Sequence, residues 1–145
     1  MKAVIQRVLN AKIEVANKVV AEISNGLMIL LGVRRGDTIS NAKKLAEKCA
    51  YLRIFEDSDG KFNLSLLDTR GSALVASQFT LFADTSRGRR PSFADAEEPE
   101  KAKQLYESFI ESLSNIGIRT RSGIFQERMN ISMTNNGPVT IIMEV

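Results

Sequence analysis

The sequence predicts an α+β fold: a compact β-barrel-like sheet with two main helices packed outside it. Three observations carry this. Short apolar segments with strand-like patterning recur along most of the chain, only two stretches carry helical spacing, and the two signals do not alternate as a doubly wound sheet requires. At 145 residues and 43% apolar content, the chain supports a single domain over residues 1–145 with a real core.

Taken in order, residues 3–8 are β-rich and residues 11–15 alternate with period two, apolar side inward. Asn17-Lys18 makes a tight turn into residues 19–23, and Ser24-Asn25-Gly26 punctuates again. The continuous apolar run over 27–33 belongs to a strand buried on both faces. Residues 34–37 form a loop, after which Asp37 or Thr38 caps a helix reaching about Leu52 through Ala42, Leu45, Ala46 and Cys49. Residues 52–55 then read as a short strand, 56–61 as a turn-rich acidic loop and 62–67 as an extended piece. That loop lacks the ligand spacing of an EF-hand, so no metal is expected there.

Gly71 precedes a strand over 72–76. Pro99 opens a second helix whose apolar stripe runs through Ala102, Leu105, Tyr106, Phe109, Ile110, Leu113 and Ile116 to a stop at Gly117. Strands follow over 118–122, 129–134 and 139–145. Between the last two, Asn135-Asn136-Gly137-Pro138 resembles a hairpin turn, but its proline fixes φ and forces Gly137 away from helical geometry.

Twenty Lys and Arg against seventeen Asp and Glu leave a net charge of +3, which says little about partners. The arrangement says more. Arg87, Arg89 and Arg90 crowd together with no acid between them, and Arg119 and Arg121 form a second group. Phosphate suits such fields, and so does an ordinary solvated turn. The single Cys49 excludes an intramolecular disulfide, and its helical stripe marks it as a small core residue rather than a nucleophile. No run approaches the roughly 18 apolar residues of a membrane span, and the start is not signal-like, so a cytoplasmic protein without membrane association is expected. The chain has no histidine, which removes Ser-His and Cys-His nucleophile pairs and every histidine-bearing metal site. Neither metal nor cofactor is expected.

Ser77-Gln78-Phe79-Thr80-Leu81 sets two hydroxyls and an amide just ahead of the arginine cluster. On a regular strand Ser77 and Thr80, three positions apart, face opposite sides. If both serve one pocket, the strand ends or kinks near Gln78 and leaves backbone N–H groups free. The alternative is a buried strand end whose hydroxyls bond locally to backbone.

Taken with Gly88-Arg89-Arg90-Pro91-Ser92-Phe93 and Asn136-Gly137-Pro138-Val139-Thr140, that stretch resembles the D-aminoacyl-tRNA deacylase (D-tyrosyl-tRNA deacylase) family, in this order and at this chain length. The likeness extends to Ile5-Gln6-Arg7-Val8, Leu30-Leu31-Gly32-Val33 and Leu52-Arg53-Ile54-Phe55-Glu56-Asp57. It implies a homodimeric proofreading hydrolase that cleaves D-amino acids from the terminal ribose of tRNA, with glycyl-tRNA mischarged on alanine tRNA as a second substrate. It implies that Ser77, Gln78, Phe79 and Thr80 form the catalytic stretch around the terminal adenosine and its ester. Arg7, Phe125 and Met129 then belong to the substrate-binding pocket, and Arg87, Arg89 and Arg90 to tRNA phosphates. Gly137-Pro138, with a cis peptide bond, is the implied chirality filter of the other subunit's pocket. With nothing to deprotonate it, Thr80 is expected to position the ester while the tRNA 2′-hydroxyl assists a water. Two departures from the family pattern, Gln126-Glu127-Arg128 and Asn136, bear on the acids that align the Gly-Pro loop. The rival readings are a non-catalytic tRNA-binding module, a purely structural dimer, and an editing domain like that of some threonyl-tRNA synthetases.

Overall fold

A computed structural model describes residues 1–145. In chain order the elements are β1 (Lys2–Val15), β2 (Lys18–Ile23), β3 (Gly26–Gly32), α1 (Ile39–Tyr51), β4 (Phe55–Glu56), β5 (Phe62–Leu64), β6 (Ser72–Ser77), a 3-10 turn (Phe79–Phe82), α2 (Pro99–Ile116), β7 (Arg119–Ser122) and β8 (Met129–Glu144). The main sheet runs β2-β1-β3-β6-β7, with β8 on the other edge of β1. Antiparallel pairing joins β1 to β2, β3 and β8, whereas β3–β6 and β6–β7 are parallel. The sheet curls until β2 packs against β6 and β7, so it nearly closes on itself. This is the expected α+β, barrel-like architecture with two helices.

The curl creates two interiors. Outside it, α1 and α2 pack on Ala3, Ile5, Leu27, Ile29, Leu31, Ala73 and Val75. Inside it, Val8, Ala11, Ile13, Met28, Leu74 and Ala76 meet, with Met129, Ile131 and Met133 of β8 packed against them. Strand alternation explains how β3 serves both: odd residues face the helices, even ones the interior of the curl. On β1 this parity alone would turn Ala11 and Ile13 toward the helices. A bulge between Val8 and Asn10 absorbs one residue, Leu9, and reverses the facing, leaving Leu9 exposed. Each fully buried Leu or Ile contributes about 1.5–3 kcal/mol of transfer free energy to this double core.

The expected break within residues 3–15 is therefore that bulge inside one long strand. Residues 135–138, which resemble a hairpin turn but for their proline, do not reverse the chain: β8 continues through them, paired to β1 on either side, and residues 136–139 bulge out opposite Arg7. The strand expected over 52–55 shrinks to Phe55–Glu56, because α1 ends at Tyr51 and Leu52 is its extended C-cap. The extended piece over 62–67 shortens to β5, since the Asp68 carboxylate accepts the Ser65 N–H (2.8 Å) and hydroxyl (2.6 Å) and folds the chain into a turn. The Asp57 carboxylate accepts the Asp59 and Lys61 N–H groups at 2.9 and 3.0 Å, so this acid of the β4–β5 loop serves the backbone.

Both helices begin and end as their sequences dictate. Thr38 caps α1 in a capping box completed by Asn41. Asp37 instead ties down the start of the chain, its carboxylate accepting the Met1 ammonium at 2.7 Å and the Arg34 N–H at 2.6 Å. Pro99 occupies the first turn of α2, and Gly117 ends it in a left-handed conformation with φ of 105°.

Candidate active site

The parallel strand β6 delivers Ser77 to its C-terminal end, where the chain leaves the sheet. The Gln78 N–H donates to Leu31 O at 2.8 Å, which fixes the exit against the end of β3. A 3-10 turn follows at once, and Leu81 N–H closes on Gln78 O at 3.3 Å. The N–H groups of Phe79 and Thr80 precede that first bond, the position at which helix donors lack intrahelical acceptors. The turn lies so close to β3 that a Cβ on Gly32 would meet Gln78 O and the Phe82 ring at 3.0 Å each, so only glycine fits without displacing them.

Beside this exit lies a cavity of about 590 Å³. Ser77, Gln78 and Phe79 form one wall, and Phe125 and Met129 another. The family resemblance implied one site for all five, and the fold brings them to one cavity from the end of β6 and the turn after it, the β7–β8 connection and β8. Gly123 makes the approach of Met129 possible, since a Cβ there would collide with its sulfur. Gln126, in the same connection, adopts a left-handed φ of 66°, a conformation that costs a non-glycine residue free energy and concentrates at functional sites.

Thr80 sits outside the cavity lining, exposed on the turn, where the Gln78 side-chain amide donates to its Oγ1 at 2.5 Å. No carboxylate or amine hydrogen-bonds to that hydroxyl, and the chain has no imidazole. Arg87, Arg89 and Arg90 are exposed on the bend between Asp84 and Ser92, which bond to each other through their backbones. Phe93 ends that bend and meets the half-exposed Phe79 ring edge-on at 5.0 Å.

Arg7, Gly137 and Pro138 do not line this cavity. The Gly137-Pro138 peptide bond is cis, and both residues are exposed at the tip of the β8 bulge. Gly137 has φ of 133°, and a Cβ on it would lie 2.7 Å from the Val139 side chain and 3.0 Å from Val139 N, so the position demands glycine. Arg7 is only 4% exposed and supports this bulge: Nε donates to Asn136 O at 3.0 Å and Nη1 to Ile54 O at 2.7 Å. Its Nη2 lies 3.4 Å from the Glu56 carboxylate, and the guanidinium stacks over the Phe62 ring at 5.0 Å. The structure thus gives Arg7 a supporting position under the Gly-Pro bulge rather than a place in the cavity wall.

The far side of the cavity was not singled out by sequence. Arg35, Glu97, Glu98, Ala102 and Tyr106 complete it. The Arg35 guanidinium pairs with Glu98 at 2.7 Å. Lys101, donating to Glu97 at 2.6 Å, holds the Glu97 carboxyl below the usual carboxylate range, helped by the N–H groups of Glu98 and Gly36. The Tyr106 hydroxyl donates to Val75 O at 2.9 Å, and burial pushes its pKa well above the ordinary phenol value. Tyr106 is therefore a neutral wall rather than a base. The only sequence signal for it was the apolar stripe of α2. The arrangement offers unpaired backbone donors, hydroxyls and apolar walls, with no nucleophile–base pair.

Comparison with known proteins extends this. The chain is 51% identical over 144 residues to a D-aminoacyl-tRNA deacylase of Fervidobacterium nodosum, covering 99% of this chain and 97% of that protein. It is 55% identical over 144 residues to one from Roseiflexus castenholzii, covering 99% and 92%. Among solved structures, the c-Myc DNA unwinding element binding protein superposes with a TM-score of 0.94 at 36% identity, covering 100% of this chain and 99% of that one. A probable eukaryotic D-amino acid tRNA deacylase shares the fold with a TM-score of 0.85 at 17% identity, covering 99% and 98%. With residues 4–144 also matching the family described as D-Tyr-tRNA(Tyr) deacylase, the chain belongs to that family.

Proposed function

We propose that this protein is a cytoplasmic editing hydrolase that cleaves the ester of D-aminoacyl-tRNA to free tRNA and the D-amino acid. The observation that carries the proposal is identity of about half over 144 residues with proteins named for that activity. The cavity geometry fits the chemistry. A water attacks the ester carbonyl carbon, and the N–H groups of Phe79 and Thr80 donate hydrogen bonds to the carbonyl oxygen as negative charge develops on it. Preorganised donors of this kind are worth about 10²–10³ in rate each. The bond to the ribose 3′-oxygen then breaks, and that oxygen takes up the proton released by the water. With no protein base beside Thr80, the neighbouring 2′-hydroxyl of the substrate assists the water. Ser77, Gln78, Phe125 and Met129 hold the terminal adenosine, and Arg87, Arg89 and Arg90 contact its phosphates.

Stereochemical selection requires a rigid wall where an L side chain would enter. Gly137 and Pro138 fill that role. Their exposure and their absence from the chain's own cavity support a homodimer in which each copy supplies the wall to its partner's site. The outward-facing Ile142, 68% exposed on β8, supports the same association. A wall that works by exclusion tolerates any D side chain and admits glycine, so glycyl-tRNA mischarged on alanine tRNA is a second substrate.

Incubation with D-tyrosyl-tRNA and L-tyrosyl-tRNA tests the reading: only the D ester should be lost. Binding of both without turnover would refute it and favour a non-catalytic tRNA-binding module, the alternative that the exposed arginine cluster supports.

A further inference from the structure

Gln6 faces Thr140 and Val8 faces Asn135 across the β1–β8 ladder, so residues 136–139 lie opposite the single residue Arg7. Val139 at the end of this excursion is buried in the core, but Gly137 and Pro138 at its tip are exposed, and an exposed tip of this kind is ordinarily among the least stable parts of a fold. Two side chains without any part in the cavity hold it in place. At its base, Asn135 Oδ1 accepts the Val139 N–H at 2.9 Å, bridging the two ends of the loop, while its amide reaches Thr140 Oγ1 at 3.4 Å. Beneath it, Arg7 packs against the loop closely enough that a Cβ on Gly137 would lie 3.3 Å from Nη2. The Phe62 ring lies under that guanidinium at 5.0 Å. Phe62 is 53% exposed, on the short β4–β5 hairpin outside the main sheet.

We propose that Asn135 and Phe62 are specificity-determining positioning residues. Asn135 ties the base of the Gly137-Pro138 loop, and Phe62 supports its underside through Arg7. The inference rests on reading that pair as the chirality filter. An L substituent presses on the wall and is excluded only while the wall stays in place, whereas a D substituent points away from it. Loosening either tie therefore admits L substrate without slowing the D reaction, an outcome that general structural damage does not produce.

The test uses the full-length variants Asn135→Ala and Phe62→Leu, with Asn135→Asp and Phe62→Tyr as conservative partners. The D-to-L ratio of kcat/KM should fall about fivefold in each of the first two, the equivalent of one modest hydrogen bond or cation–π contact. The D-substrate kcat and KM should stay within about twofold, and the conservative partners should restore the ratio. Amide exchange of Val139 should quicken about fivefold in Asn135→Ala. An unchanged ratio in both variants, or a parallel loss of D and L activity, would overturn the proposal. Unchanged Val139 exchange would overturn the Asn135 tie whatever the activity. Equal cleavage of D and L esters by the unmodified protein would refute the filter reading itself, and the proposed role in selectivity with it.

Discussion

Replacing Arg7 by methionine, of similar length but apolar, should be the most damaging single change outside the hydrophobic core. The guanidinium is 4% exposed and serves two backbone carbonyls, Asn136 O at 3.0 Å and Ile54 O at 2.7 Å. Stranding each carbonyl costs about 1–3 kcal/mol. The half-exposed Phe62 stack adds about 0.5–1 kcal/mol, and the Glu56 pair adds little because that carboxylate is 53% exposed. Relief from desolvating the guanidinium offsets part of the total, leaving about 3–4 kcal/mol, a large share of the roughly 5–15 kcal/mol by which domains are stable. At a typical urea m-value near 2 kcal/mol per molar, the midpoint should fall by roughly 2 M. Equilibrium urea unfolding of the Arg7→Met variant and the unmodified protein, at one fixed protein concentration, measures this. Arg7→Lys should recover less than half, since a single ammonium cannot reach both carbonyls and stack on the ring. A midpoint shift under about 0.5 M for Arg7→Met would refute the reasoning.

Three further outcomes are expected. Thr80→Ala should retain much of the single-turnover rate, whereas a substrate ending in 2′-deoxyadenosine should lose most of it; a dead variant with unchanged substrate binding would show that the hydroxyl itself reacts. Neutralising Arg89 and Arg90 together should weaken tRNA binding and flatten its dependence on log salt by about 1–2 units, and an unchanged slope in a filter-binding titration would return the pair to a structural role. Burial raises the Cys49 thiol to about 12 from an ordinary 9.0, against the opposing charge of the neighbouring Lys48. The folded state thus keeps its proton where the unfolded state loses it, so this contribution is complete below pH 9 and declines toward pH 12, by about 1.4 kcal/mol per pH unit. Alkaline unfolding of a Cys49→Ala variant should show a correspondingly shallower slope.

What the sequence disclosed follows from how local its causes are. Thr38, Pro99 and Gly117 signal helix ends through their own backbones, and the run over 27–33 needs only its composition to read as doubly buried. The continuity of β1 and β8 was hidden because Leu9-Asn10 and residues 135–138 break alternation locally, whereas pairing across the ladder tolerates both as bulges. One wall of the cavity was legible, since Ser77, Gln78 and Phe79 are contiguous and the missing histidine constrained their chemistry. Most of the rest was not. Arg35, Glu97 and Tyr106 reach the cavity by the packing of distant segments, and their own neighbours read as loop or core. The support that Arg7 gives the Gly-Pro bulge was hidden for the same reason, since Asn136 and Ile54 are distant from it in sequence.

The pairing of β8 with β1 also sets an order of events. These strands come from opposite ends of the sequence, and β1 touches β8 along nearly its whole length. Until residues 129–144 are synthesised, β1 offers an open hydrogen-bonding edge, and Val8, Ala11 and Ile13 lack the cover of Met129, Ile131 and Met133. Non-local closure of this kind is slow, because chain entropy is lost before contacts compensate it. A nascent chain held on the ribosome at residue 128 should therefore remain open to protease within β1, and protection should arrive only with the last strand. The residues that would discriminate mirror-image substrates lie on that strand, so a partly made chain can contain Ser77–Thr80 but not yet the means to be selective.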